Sequence, residues 1–420
     1  MNYLITPPAD PKIRVSLLLP ASKSISNRIL ILNALSAAPH QTIHNLSDSD
    51  DTQRLYQALT EAPPDSPDRH IHIGAAGTAM RFLTAYFAQT PGDWTLTGTE
   101  RMKNRPIRHL VDALNALGAR IEYLEKEGYP PLHISGNKLQ GGEVQLSGEV
   151  SSQYISALLM IAPLMKNGLS LHLQGNLISA PYIRLTIQLM RQFGAAVGWA
   201  RQTLRIRPGK YKSIPFTVEA DWSAASYWYA IAALSGQADI HLDGLFENSL
   251  QGDAAVAGLF ARLGVETTFT GDGVRLRTTA ERCKQLTYDF INEPDLAQTF
   301  VAVCLGLEIP FHFSGLQSLR IKETDRIEAL KAESLKLGYP LSCTQDNTLE
   351  WNGERCDPEP HPVIRTYDDH RMAMAFAPLS LIREQGLAIA HPEVVSKSYP
   401  AFWDDLQRAG FKRTVTPVSI

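Results

Sequence analysis

The stretch RIKETDRIEALKAESLKLG, residues 320–338, joins an ordinary amphipathic helix to an unusual start. Its apolar residues recur at helical spacing, and Thr324 or Asp325 is expected to cap the helix by accepting a hydrogen bond from a free backbone N–H. Lys322 and Arg326 stand at the same N-terminus, where positive charge opposes the helix macrodipole. Such a start is typical either of a solvated charged surface or of an anion-binding site.

The end of this helix recurs along the chain and predicts a repeated fold. Five similar helix endings each carry a glycine in the position of a left-handed cap, followed by a short segment with strand character. These glycines, separated by 76, 70, 74 and 72 residues, are Gly118, Gly194, Gly264, Gly338 and Gly410. A second series of helices, with small apolar bodies, starts near Ser26, Thr78, Ser152, Ser223, Asp295 and His370. Because the first interval of this series is only 52 residues, the sequence predicts six α/β units of about 72 residues, the first of them shortened.

Length and composition set the class of protein. A chain of 420 residues is long for one hydrophobic core, so two or three domains are expected. The longest apolar runs, such as residues 157–165, are too short to span a bilayer, and the N-terminus shows no signal core. Four cysteines without zinc-like spacing predict inert thiols in a reduced cytoplasmic protein. A net charge of −3 does not suggest nucleic acid or a membrane as a partner. Residues 62–70, APPDSPDRH, are expected to form a surface loop.

Polar and cationic side chains gather at the predicted helix starts. The first helix series begins with SKSISNR (22–28), GTAMR (77–81), SSQ (151–153), Asp221, Asp295 and DHR (369–371). The second series begins near RPI (105–107), SAPY (179–182), KETDR (322–326) and KS (397–398). Helix N-termini bind phosphate and carboxylate through free N–H groups and a partial positive charge. If the helices pack in parallel, their starts converge on one cationic cleft that fits a small polyanionic substrate.

Each helix start also has a structural explanation. Capping explains SSQ, a tight turn explains Gly77, and proline at the first helical turn explains RPI. Asp295 reads either as a cap or as a general base among cations, whereas the two cations, hydroxyls and amide of SKSISNR favour an anion site. The chain has no P-loop, no dinucleotide-binding glycine motif, no HExxH and no GxSxG. Residues 48–51 are more simply a helix cap than a cation site, so no metal is expected.

Nine motifs in order resemble the EPSP synthase family of enolpyruvyl transferases, over residues 19–406. They are ASKSISNR, AGTAMR, RMKNRPI, SSQYISALLM, PYI, EPDLAQ, IKETDRI, DDHRMAM and KSYPAFWDDL. The resemblance implies two domains, each of three βαβαββ-type units in an inside-out α/β barrel, with helix N-termini directed into an interdomain cleft that forms the active site. One domain would comprise residues 1–20 and 222–420, and the other residues 21–221.

The resemblance also implies a reaction. The enolpyruvyl group of phosphoenolpyruvate would pass to the 5-hydroxyl of shikimate 3-phosphate, with release of phosphate, by addition and elimination through a tetrahedral ketal. This step belongs to chorismate and aromatic amino acid biosynthesis and is the target of glyphosate. It uses no metal and no cofactor. The expected partners are the two small substrates, and the expected form is a cytoplasmic monomer.

The resemblance assigns site residues motif by motif. The residues expected to bind shikimate 3-phosphate are Lys23, Ser24, Arg28, Ser151, Ser152, Gln153, Ser179, Tyr182, Asp295, Ser318 and Lys322. Those expected to bind or support phosphoenolpyruvate are Lys23, Gly77, Arg81, Arg105, Gln153, Arg326, Arg371 and Lys397. Asp295 is expected to take the 5-hydroxyl proton, and Lys322 to protonate the methylene carbon with Glu323 as its rival or partner. His370 is expected to assist near the leaving phosphate.

Three positions depart from the family pattern, and two competing functions remain. Ala75 stands where Asn is usual, so one amide contact to phosphoenolpyruvate is missing or replaced; Phe82 stands where Pro is common and Ser318 where Asn is frequent. The related transferase that acts on UDP-N-acetylglucosamine usually has a reactive cysteine in a loop that has none here (residues 100–105), and it lacks SKSxSNR. A non-catalytic anion-binding relative would not need Lys322, Glu323 and Asp295 together.

Overall fold

The fold is described from a computed structural model, which describes residues 1–36, 42–61, 69–344 and 347–417; most of the loop predicted at residues 62–70 lies outside them. The chain divides into two compact units. The first unit comprises Met1–Pro20 and Glu219–Ile420, and the second comprises Ala21–Val218. Asp221, which the sequence-based division assigns to the second domain, lies in the first unit, where its backbone N–H donates to the Pro20 carbonyl oxygen at 2.9 Å.

The helices recur as the sequence spacing predicts. In the described residues they are α1 (Lys23–Ala34), α2 (Asp50–Glu61), α3 (Gly77–Gln89), α4 (Glu100–Lys103), α5 (Arg108–Ala116), α6 (Ser152–Ile161), α7 (Ala180–Gln192), α8 (Trp222–Leu234), α9 (Val256–Ala261), α10 (Ala297–Gly306), α11 (Arg326–Lys336), α12 (His370–Phe376) and α13 (Phe402–Arg408). Short 3-10 helices lie at Ala162–Leu164, Gly252–Ala255, Pro294–Leu296, Gln317–Ile321, Ala377–Ile382 and Pro392–Lys397. None of these described helices combines the length and the apolar character that crossing a membrane requires.

The strands alternate with these helices. In the described residues they are β1 (Asn2–Thr6), β2 (Lys12–Leu18), β3 (Ile43–His44), β4 (His70–His72), β5 (Gly92–Thr97), β6 (Arg120–Tyr123), β7 (Leu132–Gly136), β8 (Gly142–Ser147), β9 (Leu169–Gln174), β10 (Val197–Ala200), β11 (Thr203–Ile206), β12 (Phe216–Thr217), β13 (Gln237–Asp243), β14 (Val265–Phe269), β15 (Gly273–Thr278), β16 (Leu286–Asp289), β17 (Phe311–Ser314), β18 (Ser342–Cys343), β19 (Leu349–Trp351), β20 (Val363–Ile364), β21 (Leu387–Ala390) and β22 (Lys412–Thr416).

The sheets show the repeat directly. The first unit contains the orders β14-β15-β13-β2, β16-β17-β19-β18 and β20-β21-β1-β22, and the second contains β4-β5-β7-β6 and β10-β11-β9-β8. In each of these five sheets one edge pair is parallel and the other two pairs are antiparallel. A sixth sheet consists of β12 parallel to β3 and belongs to the repeat that the spacing predicts to be shortened. The prediction of an α/β fold built from six repeated units is confirmed.

Strands from the N-terminus complete two sheets of the first unit. β1 lies between β21 and β22, with Tyr3 opposite Ile389 on one side and Val415 on the other. β2 is the edge strand parallel to β13. The first twenty residues therefore belong to the first unit because its sheets require them.

Two kinds of helix build each unit. The bodies of α6, α8, α10 and α12 consist of small apolar and aromatic residues that are almost all buried, which makes these the inner helices. The helices of the other series end at glycines in the left-handed region, as the sequence predicts. Their φ angles are 101° at Gly118, 89° at Gly194, 84° at Gly264, 88° at Gly338 and 95° at Gly410. A glycine there satisfies the last helical carbonyls without a Cβ clash.

Candidate active site

The start of α11 is capped by Asp325. Its Oδ1 accepts hydrogen bonds from the backbone N–H groups of Ile327 (3.1 Å) and Glu328 (3.2 Å), so of the two caps that the sequence allows the aspartate is used. Its Oδ2 accepts from Arg320 Nη1 at 2.9 Å. The cap leaves the side chains of the first turn available for other contacts.

Arg326, the first residue of α11, is a buried cation held by carboxylates of the protein itself. It is 1% exposed, and its Nε donates to Asp369 Oδ2 at 2.7 Å. Nη1 donates to Asp295 Oδ1 at 2.9 Å and Nη2 to Glu323 Oε2 at 2.8 Å. Burial favours the neutral guanidinium, but the three carboxylates outweigh it and raise the pKa of Arg326. Of the two explanations left open by the sequence, the solvated surface is wrong for Arg326, and its counter-ions are carboxylates of the protein itself.

Further cations complete this group, which we call the Arg326 cluster. Its members are Asp295, Lys322, Glu323, Arg326, Asp369, Arg371 and Lys397. Lys322 Nζ lies 3.3 Å from Asp295 Oδ1 and Arg371 Nη2 lies 3.1 Å from Asp295 Oδ2. Lys397 Nζ lies 3.5 Å from Glu323 Oε1. Four cations face three carboxylates, so the cluster carries net positive charge and favours anionic ligands.

Asp295 is fully ionised in this arrangement. Burial alone would raise its pKa, but Arg371, Lys322 and Arg326 together hold the pKa of Asp295 well below its usual value. The carboxylate is therefore in the form that can accept a proton, while its proton affinity is lowered by the cations.

Two expected site residues of the first unit are more buried than a ligand contact suggests. His370, the first residue of α12, is 1% exposed, and its Nδ1 lies 3.7 Å from Asp369 Oδ1. The hydroxyl oxygen of Ser318 is buried and makes no hydrogen bond within the described residues.

In the second unit, Arg28 is a buried cation among neutral acceptors. Its guanidinium donates to Thr186 Oγ1 (2.7 Å), Ser24 O (2.8 Å), Ser156 Oγ (3.1 Å) and Tyr182 O (3.4 Å). Burial lowers the pKa of Arg28 to about 10. A buried charge without a counter-ion is costly, and a bound anion would offset this cost. This geometry supports the expected anion site at SKSISNR.

Phe82, one departure from the family pattern, packs on the same cation. The guanidinium carbon of Arg28 lies 5.4 Å from the centre of the Phe82 ring, within the range of a cation–π interaction. Helix α3 runs without interruption from Gly77 to Gln89, so Phe82 neither breaks nor shortens it.

The start of α3 shows why a glycine stands at position 77. A Cβ built on Gly77 would lie 2.8 Å from Cζ of Arg105, so the guanidinium occupies the space of the missing side chain. Nε of Arg105 is buried and has no hydrogen-bond partner within the described residues. Arg81 donates from Nη1 to Gly77 O (3.0 Å) and from Nη2 to Pro106 O (3.1 Å), so it fixes the backbone on both sides of this contact.

The starts of α6 and α7 add hydroxyl and amide groups. Ser151 caps α6 through Gln153 N (3.3 Å), and Gln153 Nε2 donates to Thr78 Oγ1 at the start of α3 (3.1 Å). Ser152 and Ser179 are buried, and Ser179 precedes α7 with φ of 55°. A non-glycine residue in the left-handed region is strained, and such strain is enriched at functional sites.

Lys23 and Lys397 were both expected at helix starts, and the structure confirms this position only for Lys23. Lys23 opens α1 as expected, with Nζ 4.0 Å from Asp51 Oδ2. Lys397 was expected to open a helix, but it ends the 3-10 helix Pro392–Lys397, and α13 begins only at Phe402. Pro400 explains this difference, because a proline disfavours helical conformation in the residue before it.

Comparison with known proteins gives the family. The family profile described as EPSP synthase (3-phosphoshikimate 1-carboxyvinyltransferase) matches residues 9–63 and 61–406. The chain belongs to the EPSP synthase family. A relative from Bacteroides fragilis named 3-phosphoshikimate 1-carboxyvinyltransferase is 57% identical over 412 residues, which cover 98% of each chain. One of the same name from Vibrio vulnificus is 38% identical over 92% of this chain and 94% of its own.

Solved structures agree on the fold of this EPSP synthase family member. The EPSP synthase from Acinetobacter baumannii aligns with a TM-score of 0.77 at 20% identity, over 99% of this chain and 100% of that chain. At this identity the likeness concerns the fold alone.

Some described residues contact the Arg326 cluster or belong to it without having been predicted as site residues. Asp369 is a member, and Ser223 and Tyr227 accept hydrogen bonds from Arg371. Asp253 in turn accepts a hydrogen bond from Ser223. Asp369 belongs to the motif DDHRMAM, where its position indicates a helix cap. It does cap α12, because its Oδ1 accepts a hydrogen bond from Arg371 N at 2.9 Å. The sequence does contain a signal for Asp253, because the polar segment QGD (251–253) precedes α9, which is followed by the glycine cap Gly264. This segment is not among the helix starts that the sequence analysis singled out.

One group of possible metal-binding side chains occurs in the described residues, although the sequence spacing suggests none. His241, Asp243 and Asp272 lie close together, with His241 Nε2 2.9 Å from Asp243 Oδ1 and 3.5 Å from Asp272 Oδ1.

Proposed function

We propose that the chain transfers the enolpyruvyl group of phosphoenolpyruvate to the 5-hydroxyl of shikimate 3-phosphate and releases phosphate. Membership of the family carries this proposal, together with the net positive Arg326 cluster. Both substrates are polyanions, and each unit offers buried or half-buried cations at its helix starts.

In the second unit, we assign shikimate 3-phosphate to the starts of α1, α6 and α7. The supporting observation is that Arg28 is buried among neutral acceptors, beside Ser24 and Tyr182. Phosphoenolpyruvate is assigned to Lys23, Gly77 and Arg105, because the buried Nε of Arg105 makes no hydrogen bond within the described residues. Gln153 is assigned to both substrates.

In the first unit, we assign the proton transfers to the Arg326 cluster. During addition, the 5-hydroxyl oxygen attacks C2 of phosphoenolpyruvate while C3 gains a proton from Lys322 and the hydroxyl proton passes to Asp295. During elimination, C3 returns a proton to the Lys322 amine while the bond from C2 to the phosphate oxygen breaks. Phosphate leaves with the bonding electron pair and takes up the proton that Asp295 received. Glu323 lies between Arg326 and Lys397 and is the partner of Lys322 in this exchange. His370 is assigned to the leaving phosphate.

The cations of this cluster also control the proton affinity of Asp295, and therefore whether it can act as a base. Arg371 and Lys322 bind its carboxylate directly. Asp295, Glu323 and Asp369 accept hydrogen bonds from four of the five N–H donors of Arg326, so phosphoenolpyruvate competes with these carboxylates for all but one Nη1 donor. A substrate anion that draws these cations away would raise the proton affinity of Asp295, so the base would strengthen when substrate binds.

The reaction is tested by following phosphate released from phosphoenolpyruvate by the purified protein. We expect release only when shikimate 3-phosphate is also present, because the 5-hydroxyl is the nucleophile of the addition step. UDP-N-acetylglucosamine in its place is the matched control and should give no release.

The control reaction separates the competing functions. Release with UDP-N-acetylglucosamine alone would assign the chain to the related transferase activity. Calorimetric binding of both anions without any release would instead support a non-catalytic binding protein.

Gly77→Ala is expected to weaken the use of phosphoenolpyruvate selectively. The new Cβ would overlap the Arg105 guanidinium and displace it, while the flexible end of that side chain can move without unfolding the protein. We expect the Michaelis constant for phosphoenolpyruvate to rise by about tenfold, with a smaller change in kcat. Gly258→Ala in α9 is the control, because its Cβ would meet nothing within 4 Å. Equal constants in the two variants would contradict the contact proposed for Arg105.

A further inference from the structure

A buried carboxyl group borders the Arg326 cluster but has no part in the proposed reaction. Asp253, in the 3-10 helix Gly252–Ala255, is 4% exposed, and its Oδ2 accepts a hydrogen bond from the Ser223 hydroxyl. Its Oδ1 makes no hydrogen bond within the part of the chain that the structure describes. Burial, reinforced by the negative charge of Asp295, raises the pKa of Asp253 to about 7. A carboxyl group kept in such a place is costly, and perturbed carboxyl groups are enriched at functional sites.

The Ser223 hydroxyl connects this carboxyl group to the cluster. Arg371 Nη2 donates to Ser223 Oγ at 3.3 Å and lies 3.1 Å from Asp295 Oδ2, while Arg371 Nη1 donates to the Asp295 carbonyl oxygen at 3.1 Å. A hydroxyl has one proton to donate and two lone pairs to offer. Since the proton points to Asp253, the lone pairs are left for Arg371. This direction is the same whether or not Oδ1 of Asp253 carries a proton.

The attachment of the segment itself does not require Asp253. Gln251 accepts a hydrogen bond from Trp222 N at the start of α8 (3.2 Å) and donates to the Ala220 carbonyl oxygen (2.8 Å). It also donates to Glu219 Oε1 at 2.8 Å. These three bonds hold Gln251, and with it residues 251–253, at the start of α8. The carboxyl group of Asp253 is therefore not needed to attach these residues.

We infer that Asp253 is a positioning residue for Arg371: by accepting the Ser223 proton it makes Ser223 Oγ an acceptor that holds the Arg371 guanidinium in place. This inference rests on the proposed function only in assigning phosphoenolpyruvate as the ligand of Arg371. Without Asp253, the Ser223 hydroxyl is free to turn its proton toward the guanidinium, which then loses one of its acceptors.

The test compares Asp253→Ala, Asp253→Asn and Ser223→Ala. In the alanine variant of Asp253 we expect a crystal structure to show Arg371 Nη2 beyond hydrogen-bond distance of Ser223 Oγ. The Michaelis constant for phosphoenolpyruvate should rise by about tenfold, which is the effect of one hydrogen bond to a charged group, while kcat changes less. Asp253→Asn keeps an acceptor oxygen, so its Arg371–Ser223 distance and its Michaelis constant for phosphoenolpyruvate should both equal those of the wild type. Ser223→Ala should raise the constant similarly, and the double variant should be no worse than either single one.

Val256→Ala, three residues along the chain, is the control for lost stability, because it opens a cavity in α9 without touching Arg371. Its free energy of unfolding should fall while the Michaelis constant stays unchanged. An Arg371 position and Michaelis constant unchanged in Asp253→Ala, or a rise of the same size in Val256→Ala, would overturn the inference. Failure of the proposed function gives a different result, since the wild-type protein would then show no turnover while the Arg371 position still reports on Asp253.

Discussion

Lys322→Met is expected to lower turnover by about a thousandfold or more, because it removes both a proton donor and a positive charge from the reacting atoms. Lys322 Nζ lies 3.3 Å from Asp295 Oδ1, beside the proposed base. Its side chain is 27% exposed. The free energy of unfolding should therefore change by no more than about 1 kcal/mol. Steady-state phosphate release and chemical denaturation measure the two effects separately.

Two further variants sharpen this result. Lys331→Met is the matched control, since Lys331 lies in the following helix α11, pairs with Glu328 at 3.2 Å and should leave turnover unchanged. Lys322→Arg keeps the charge but replaces the ammonium with a guanidinium that does not release its proton. Turnover close to wild type in Lys322→Arg would show that Lys322 provides charge alone. Near-normal turnover in Lys322→Met would refute its assigned role altogether.

Arg326→Gln is expected to destabilise the protein by about 3–5 kcal/mol, because it leaves buried carboxylates without their counter-ion. Asp369 is fully buried, so it has no access to solvent when the guanidinium is removed. Chemical denaturation at neutral pH, followed by circular dichroism, measures the loss. The control is Arg355→Gln, whose exposed pair with Glu308 at 2.7 Å should contribute less than about 1 kcal/mol. A loss in Arg326→Gln no larger than in this control would contradict the internal ion cluster.

The same variant has an expected pH dependence. In the wild-type protein the pKa of Asp295 is held well below its usual value. Its contribution to stability is therefore present above the unfolded pKa of about 3.9 and is lost as the pH falls through the lower folded value. Removing Arg326 takes away one of the cations that lower this pKa. The difference in unfolding free energy between wild type and variant should thus narrow as the pH falls below about 4.

Features that depend on neighbouring residues could be predicted from the sequence. Gly338 and its four counterparts have positive φ because each ends a helix with a left-handed cap. The intervals between these glycines are visible in the sequence. Asp325 and Thr324 were both reasonable caps, and only the structure distinguishes them. The repeat was predictable because every unit buries one helix face against a sheet, so similar apolar patterns recur in the sequence.

Features that depend on distant residues could not be predicted in this way. The acceptors of Arg326 on Asp295 and Asp369 are 31 and 43 residues away, so the sequence left a solvated surface or an external anion to explain the charge. Ser223 and Arg371 lie 148 residues apart, about two repeats, and both stand at starts of the first helix series, but the spacing does not show that their side chains meet. Asp253 lies 30 residues from Ser223, a separation that does not follow the repeat. The family resemblance supplied the names of many site residues, but it did not show which of them are held by carboxylates of the protein itself.

The position of β1 has a consequence for how the polypeptide matures on the ribosome. β1 is synthesised before the other strands of its unit, yet it forms an inner strand whose neighbours, β21 and β22, emerge hundreds of residues later. The second unit is a continuous segment, Ala21–Val218, and has all its strands as soon as that segment has left the exit tunnel. We therefore expect it to fold during translation, while the N-terminal strands wait unpaired for the rest of their unit. During that interval we expect chaperones to bind these strands, because an unpaired strand can pair with other chains and start aggregation.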